Sequence, residues 1–331
     1  MSTGTGIDGV LVEWGERLFY PRNRIVRSST PRLSGSLGQR AAAIRQRIEA
    51  TVLRRAPQVM VKVTGGGRGM AAIAAHLRYI SKAGRLPFED DRGVIREGKE
   101  ALHDLVEQWR FGGSFIDETA PRREAFNIML SMPRGADALA VQRAAREFAQ
   151  AELADHRYVL VLHDHQANPH VHLSVRAEGR HGQRLNPRKA DLQRWRETFA
   201  EKLRGWGVEA EASRQAARGQ IRNYESLWRI KATEAGRLPS SREHSKSSPA
   251  SGRSLEQALE AWTNIARGLA ASDDPADRAL AQGVEQYVRS MPFVRTRGPV
   301  PDKAQARPEI TADRAASKEV VPAPRASERG R

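Results

Sequence analysis

The stretch RYVLVLHDHQANPHVHLSVRAE, residues 157–178, decides the fold. Its two ends are rich in β-branched and apolar residues, and six residues between them hold the polar and Pro content of a turn. They read as two strands of a hairpin. On the first strand Val159, Val161 and His163 share a face; on the second His170 and His172 share one, while Val171, Leu173 and Val175 take the other. If His163 stands opposite His170, their Cβ atoms lie about 4.5–5.5 Å apart. His172 then follows about 6.6 Å further along the same face. A one-residue slip would send His163 to the opposite side, so the expectation is a condition on register.

With that register three imidazoles converge and leave coordination positions open, the pattern of a catalytic metal centre. Neutral ligands leave a divalent ion its full charge, which suits it to a phosphate oxygen. An H-x-H pair alone would read as a solvated polar face; His163 at hairpin distance turns the balance toward a metal. Imidazole accepts Mn, Ni, Cu and Zn, so the residues do not name the ion.

Composition fits such a target. The 331-residue chain carries a net charge of +16 and a pI of about 10.8, which points to a polyanionic partner, nucleic acid by default. Zero cysteines exclude disulfides, iron–sulfur clusters and thiolate zinc sites. No run approaches the roughly 18 apolar residues of a spanning helix, and the N-terminus does not read as a secretory signal. A cytoplasmic protein is expected.

Outward from the hairpin, QVMVKVTGG (58–66) and EAFNIMLSM (124–132) read as further strands. MAAIAAHLRYISKAG (70–84), GKEALHDLVEQWR (98–110), ADALAVQRAAREFAQAEL (136–153) and RKADLQRWRETFAEKLRGWG (188–207) read as helices, and VEAEAS (208–213) as a last strand. The order suggests an α+β domain with a largely antiparallel central sheet flanked by helices. Residues 57–231 form this domain. A basic extension (1–56) precedes it, with one helix-like run at 37–56. A linker (232–254), a small helical segment (255–291) and a disordered Arg/Pro-rich tail (292–331) follow.

The same segments, in order over about residues 58–219, resemble the conjugative relaxases, the mobilisation nucleases of the HUH endonuclease superfamily. LVLHDHQANPHVHLSVR resembles their histidine motif, VMVKVTGGGRGMAAIAAHLRYISKAGRL the motif with the nucleophilic tyrosine, and FNIMLSMPRGADALAVQRAAREFA the motif between. The resemblance implies Tyr79 as nucleophile, His163, His170 and His172 as metal ligands, and a divalent ion, Mg or Mn, as cofactor. It also implies a 5′-phosphotyrosyl intermediate at a transfer origin, accessory relaxosome proteins, and a type IV coupling and secretion machinery. The family often has aspartate two residues after the first histidine, where this chain has His165; Asp164, beside it, becomes a candidate for orienting the ligands.

On the 70–84 helix, Ile73, Leu77 and Ile80 form the apolar stripe, and His76 and Tyr79 are neighbours on another face. Spacing alone would make Tyr79 a residue at the edge of the core; the resemblance reverses that. His76 is a helper by proximity only. TGGGRG (64–69) lacks a P-loop ending. It is either a tight turn or, in addition, a helix start that brings backbone N–H groups and Arg68 to a DNA phosphate. Lys82, Arg85, Arg176 and Ser131 are further candidate DNA contacts, as are Arg180, Arg184 and Asn127. The tryptophans 109, 195, 206 and 228 read as packing residues. The rival within the superfamily, a rolling-circle replication initiator, would use a tyrosine after the histidines, which Tyr224 supplies. A non-catalytic basic DNA-binding module with a structural ion is the rival from outside it.

Overall fold

The computed structural model describes residues 6–20, 33–220, 232–233, 235–237 and 249–297. Its centre is a six-stranded sheet in the order β1-β4-β6-β5-β2-β3, with β1 Met60–Gly65, β2 Phe88–Asp90, β3 Ile95–Arg96, β4 Ala125–Ser131, β5 Tyr158–His163 and β6 His170–Arg176. Every neighbouring pair is antiparallel. The hairpin takes the register that joins the histidines: His163 lies opposite His170, and Val161 opposite His172.

Strand alternation then sorts the two faces of the sheet. Leu160, Val171, Leu173 and Val175 turn toward α5 (Ala138–Glu152) and α6 (Lys189–Gly205), where Phe148, Trp195 and Phe199 fill the core. The other face carries Val159 and Val161, which pack with Ile73, Leu77 and Ile80 of α3 (Met70–Ile80) and with Leu105 and Trp109 of α4 (Lys99–Phe111). The histidines are on this second face. Asp137 caps α5 by accepting from the N–H groups of Leu139 and Ala140, which fixes the entry of the helix that the Pro133–Gly135 turn delivers.

Two strands, β2 and β3, have no counterpart in the sequence reading, and VEAEAS is not a strand. It runs parallel to the residues before β1 through one isolated bridge, Gln58 to Glu211, held by Val59 N–H to Glu211 O and Glu211 N–H to Pro57 O.

Helices from residues 7–52 and 249–290 meet in a helical layer. Residues 7–19, where the sequence named no element, form α1 (Ile7–Phe19), and α2 covers Leu37–Val52. These pack with α7 (Pro249–Ala270) and α8 (Pro275–Ser290) around Phe19, Ile44, Ile48, Trp262, Ile265 and Tyr287. Arg47 of α2, almost wholly buried, reaches Glu197 of α6 at 3.1 Å and Glu211 at 2.6 Å. Trp262 Nε1–H donates to Ala217 O at 2.8 Å. The short helix α9 (Pro292–Arg297) occupies the start of the segment expected to be disordered. Residues 298–331, and Tyr224 and Trp228, lie outside the described residues.

Candidate functional site

At the turn end of the hairpin the rings of His163, His170 and His172 are mutual neighbours, with centroids 4.6–5.1 Å apart. One ligand atom from each lies within 4.8 Å of the others, and this is the candidate metal cluster among the described residues. His163 and His170 are buried and His172 is half-buried.

Hydrogen bonds leave the donor set suited to an ion. His163 Nε2 is 2.7 Å from Ile80 O and His170 Nδ1 is 2.9 Å from Asn168 O. A carbonyl only accepts, so each of these nitrogens carries the proton and the other nitrogen keeps a free lone pair. His172 Nδ1 is buried with no hydrogen-bond partner. Burial, reinforced by repulsion from His163, His170 and His76, pushes His172 down to about 3. Burial also holds His163 below the usual imidazole value; the Ile80 carbonyl pulls the other way, and repulsion from His170, His165 and Lys82 adds to burial. The imidazoles of His163 and His172 are therefore neutral near pH 7. Neutral, convergent nitrogens and an orphaned buried one fit a divalent cation.

The Ile80 carbonyl belongs to the helix that presents Tyr79, so one hydrogen bond ties the candidate nucleophile's helix to a ligand. Tyr79 is 72% exposed while Ile80 beside it is fully buried. The His76 ring stacks with Tyr79 at 6.5 Å and meets the His172 ring edge-on at 6.4 Å. Burial alone lowers His76 to about 4, so it too is neutral. α3 ends abruptly: Lys82, Ala83 and Gly84 all have positive φ, at 48°, 60° and 83°. Lys82 and Ala83 are held in this disfavoured region. The buried Ser81 hydroxyl braces the turn by donating to Leu77 O at 2.7 Å and accepting from Gly84 N–H at 3.1 Å. The turn keeps half-buried Lys82 close enough to disfavour charge on His163. Exposed Arg85 folds back onto Lys82 O.

Several expectations are corrected. Asp164 is exposed and has no hydrogen bond to a ligand histidine among the described residues; the backbone carbonyls of Ile80 and Asn168 orient two of the three rings instead. Nothing in composition flags a backbone carbonyl, so that role was invisible. Ser131 pairs with His170 across the sheet, but it is only 4% exposed and its hydroxyl bonds to Met132 O and Pro169 O, so it is not available as a DNA contact. Arg176 is 3% exposed. Its guanidinium donates to the carbonyls of Trp109, Gly112 and Ser114 and to the Ser114 hydroxyl. It braces a loop and is not a phosphate contact. Arg184 is likewise taken up by Glu124 and Glu178.

The Gly-rich segment forms a tight turn. The first N–H groups of α3, those of Met70 and Ala71, donate to Asp117 O and Glu118 O, so they are closed to a phosphate. Gly69 has φ +91°, and a Cβ there would collide with the Glu118–Thr119 backbone. Arg68 beside it is exposed. His165 places its ring 5.1 Å from that of His163 but stands outside the three-residue cluster.

No curated protein matches the chain. Residues 98–208 match the family model of the MobA/VirD2-like relaxase nuclease domain, a span that contains the three histidines but begins after Tyr79. The matched segment, which carries the imidazole triad on the central hairpin of an antiparallel sheet, is similar to a relaxase nuclease domain and supports a DNA-nicking relaxase of the HUH superfamily.

Proposed function

We propose that the protein nicks one strand of a transfer origin by transesterification, with Tyr79 as the nucleophile, to mobilise a plasmid or integrative element. The observation that carries the reading is the continuity Tyr79–His76–His172: an exposed phenol stacked on a neutral imidazole that abuts the triad. The Tyr79 oxygen attacks the scissile phosphorus in line. The bond from phosphorus to the 3′ oxygen breaks, that oxygen leaves as a 3′-OH, and the 5′ phosphate stays on Tyr79. His163, His170 and His172 would hold a divalent ion, which would supply Lewis-acid charge to the scissile phosphate.

The chain's own residues set the geometry. His76 orients the phenol ring, and being neutral it adds no cation to compete with the ion. Ile80 O keeps the nucleophile's helix in register with His163. Lys82 stands ready for a phosphate oxygen beside the cut, with Arg68 and Arg85 further out. Because the phosphoester bond is conserved in the adduct, the 3′-OH can reverse the reaction and rejoin the strand.

The partners in this reading are single-stranded or supercoiled origin DNA, accessory relaxosome proteins, and a type IV coupling and secretion apparatus that reads residues 293–331. The protein acts in the bacterial cytoplasm and travels with the cut strand. No helix among the described residues is long and apolar enough to cross a membrane.

The test is nicking of supercoiled DNA bearing the element's own origin, followed by peptide mapping of the denaturation-resistant conjugate. Wild type should carry the nucleotide on Tyr79, and Tyr79→Phe should give no conjugate while still binding the oligonucleotide. Nicking by Tyr79→Phe at the wild-type rate would sink the assignment, and mass on Tyr224 would favour the replication initiator.

A further inference from the structure

Phe111 and Phe115 are 64% and 58% exposed, and they touch each other, with ring centroids 5.7 Å apart and planes tilted by 40°. A lone exposed apolar residue is ordinary, but a contacting aromatic pair held on a surface loop is not. The loop between them is rigidly braced. Three of its acceptors, Gly112 O, Ser114 O and the Ser114 hydroxyl, are bound by the one buried guanidinium of Arg176, which also holds Trp109 O of α4. Gly112 and Gly113 are glycines for a reason of space: a Cβ at Gly112 would run into Arg157, and one at Gly113 would crowd Arg176.

Behind this loop lies a cavity of about 280 Å³, lined by the two glycines, Ser114, Arg157, Arg176 and Arg180 among others. Its charge is not balanced from within. Arg180 pairs with Asp91 at 2.9 Å, and Glu178 is engaged by Arg184 at 3.3 Å. Arg157 and Arg176 have only neutral oxygens as hydrogen-bond partners, and no ion pair, among the described residues. Burial and then the nearby Arg157 guanidinium disfavour charge on Arg176, against a smaller opposing pull from Glu178 and Glu124. Exposed aromatic faces beside the Arg157 guanidinium, which has no ion pair among the described residues, suit a base and its phosphate.

The place also fits a strand bound at the triad. Arg176 and the ligand histidines alternate onto the same face of β6, four residues from His172 and six from His170, or roughly 13–20 Å. We propose that the 111–115 loop and Arg157 form a second single-strand subsite, which stacks bases of the DNA flanking the cut and binds their phosphate. The proposal rests on the reading that the triad end is where the strand is cut. The ligand is a single-stranded polynucleotide several nucleotides longer than the triad alone engages.

Binding of fluorescent single strands of about ten and about thirty nucleotides to the full chain, without divalent ions so that nothing is cut, tests this. Wild type should gain affinity with length. Phe111→Ala/Phe115→Ala and Arg157→Glu should each lose about tenfold on the longer strand. Arg143→Glu, the same charge change on α5 across the sheet, should lose less than about twofold. An iodouracil-bearing strand should photocrosslink to the peptide containing residues 111–115, a readout that needs no variant. Wild-type affinity for the long strand in the double-Phe variant would overturn the proposal. So would loss of self-association as its only defect, which would make the patch a protein interface. Neither readout involves Tyr79, so absence of a Tyr79 adduct with retained loop-dependent binding would remove only the nucleophile assignment.

Discussion

The two ends of β6 carry the same kind of sequence, a strong polar group on an alternating strand, and come to opposite ends. At His170 and His172 the rings are held in place with bonding capacity left over, including a buried nitrogen with no partner. At Arg176 the guanidinium is just as fixed, but its donors are engaged by four oxygens, one on α4 and three in the loop that follows it. A buried polar group left unsatisfied costs stability unless a ligand completes it. The histidine end therefore marks a site, and the arginine end marks a strut.

Breaking the histidine end should have the largest effect on activity and little on stability. His172→Ala is expected to lower nicking at least about a hundredfold, since ion and ligand geometry are lost together, and to abolish metal binding measured by calorimetry. Oligonucleotide affinity should hardly change, because basic contacts supply most of it. Nicking at the wild-type rate would dissolve the contrast. His165→Ala, outside the cluster, should do much less in the same assay.

Breaking the arginine end should do the reverse. Arg176→Met removes the bonds that tie the loop to α4, leaves the buried Trp109 O unpaired, and should cost about 1–3 kcal/mol, read as a lowered midpoint in denaturant. Metal affinity at the triad should stay as in wild type. If stability were unchanged, the loop would not depend on this residue.

A smaller loss is expected at the Gly-rich turn. Gly69→Ala must adopt φ near +91° and meet the Glu118–Thr119 backbone, for a cost of about 1–3 kcal/mol. Arg68→Ala, at the exposed neighbour, should leave the unfolding midpoint within about 0.5 kcal/mol. Equal costs at the two positions would mean that the turn's geometry is not the constraint.

The smallest effect concerns the helical layer and acid. Burial would raise the Asp277 carboxyl, but hydrogen bonds from Arg45 and Ser272 and the charge of Arg45 hold it below its ordinary value. A depressed carboxylate contributes stability that is complete above its unfolded pKa and lost as pH falls through the folded one, here below about pH 4. Asp277→Asn should flatten that acid limb in a circular-dichroism titration. An unchanged limb would assign acid sensitivity elsewhere.

Much of the site was legible because it is local. Strand alternation and a short turn bring His163, His170 and His172 together within eleven residues, and register is the only condition. The apolar stripe Ile73–Leu77–Ile80 likewise put Tyr79 off the core, although its role came from the resemblance and not from spacing. β2 and β3 were missed because strands of three and two residues are too short to show a period.

What the sequence determined alone, then, was the hairpin, the triad that its register implies, strands β1 and β4 with helices α3 to α6 in their order around it, and the polyanionic partner that the charge implies. The tertiary structure decided everything that depends on which distant group arrives. An amphipathic helix states that it has a partner but not which one, so the packing of α1 and α2 with α7 and α8, more than 190 residues later, could not be read. The same holds for single polar groups. Whether Arg176 meets a phosphate or the carbonyls of its own chain, and whether a carboxylate or Ile80 O orients His163, turns on backbone atoms that every residue carries alike.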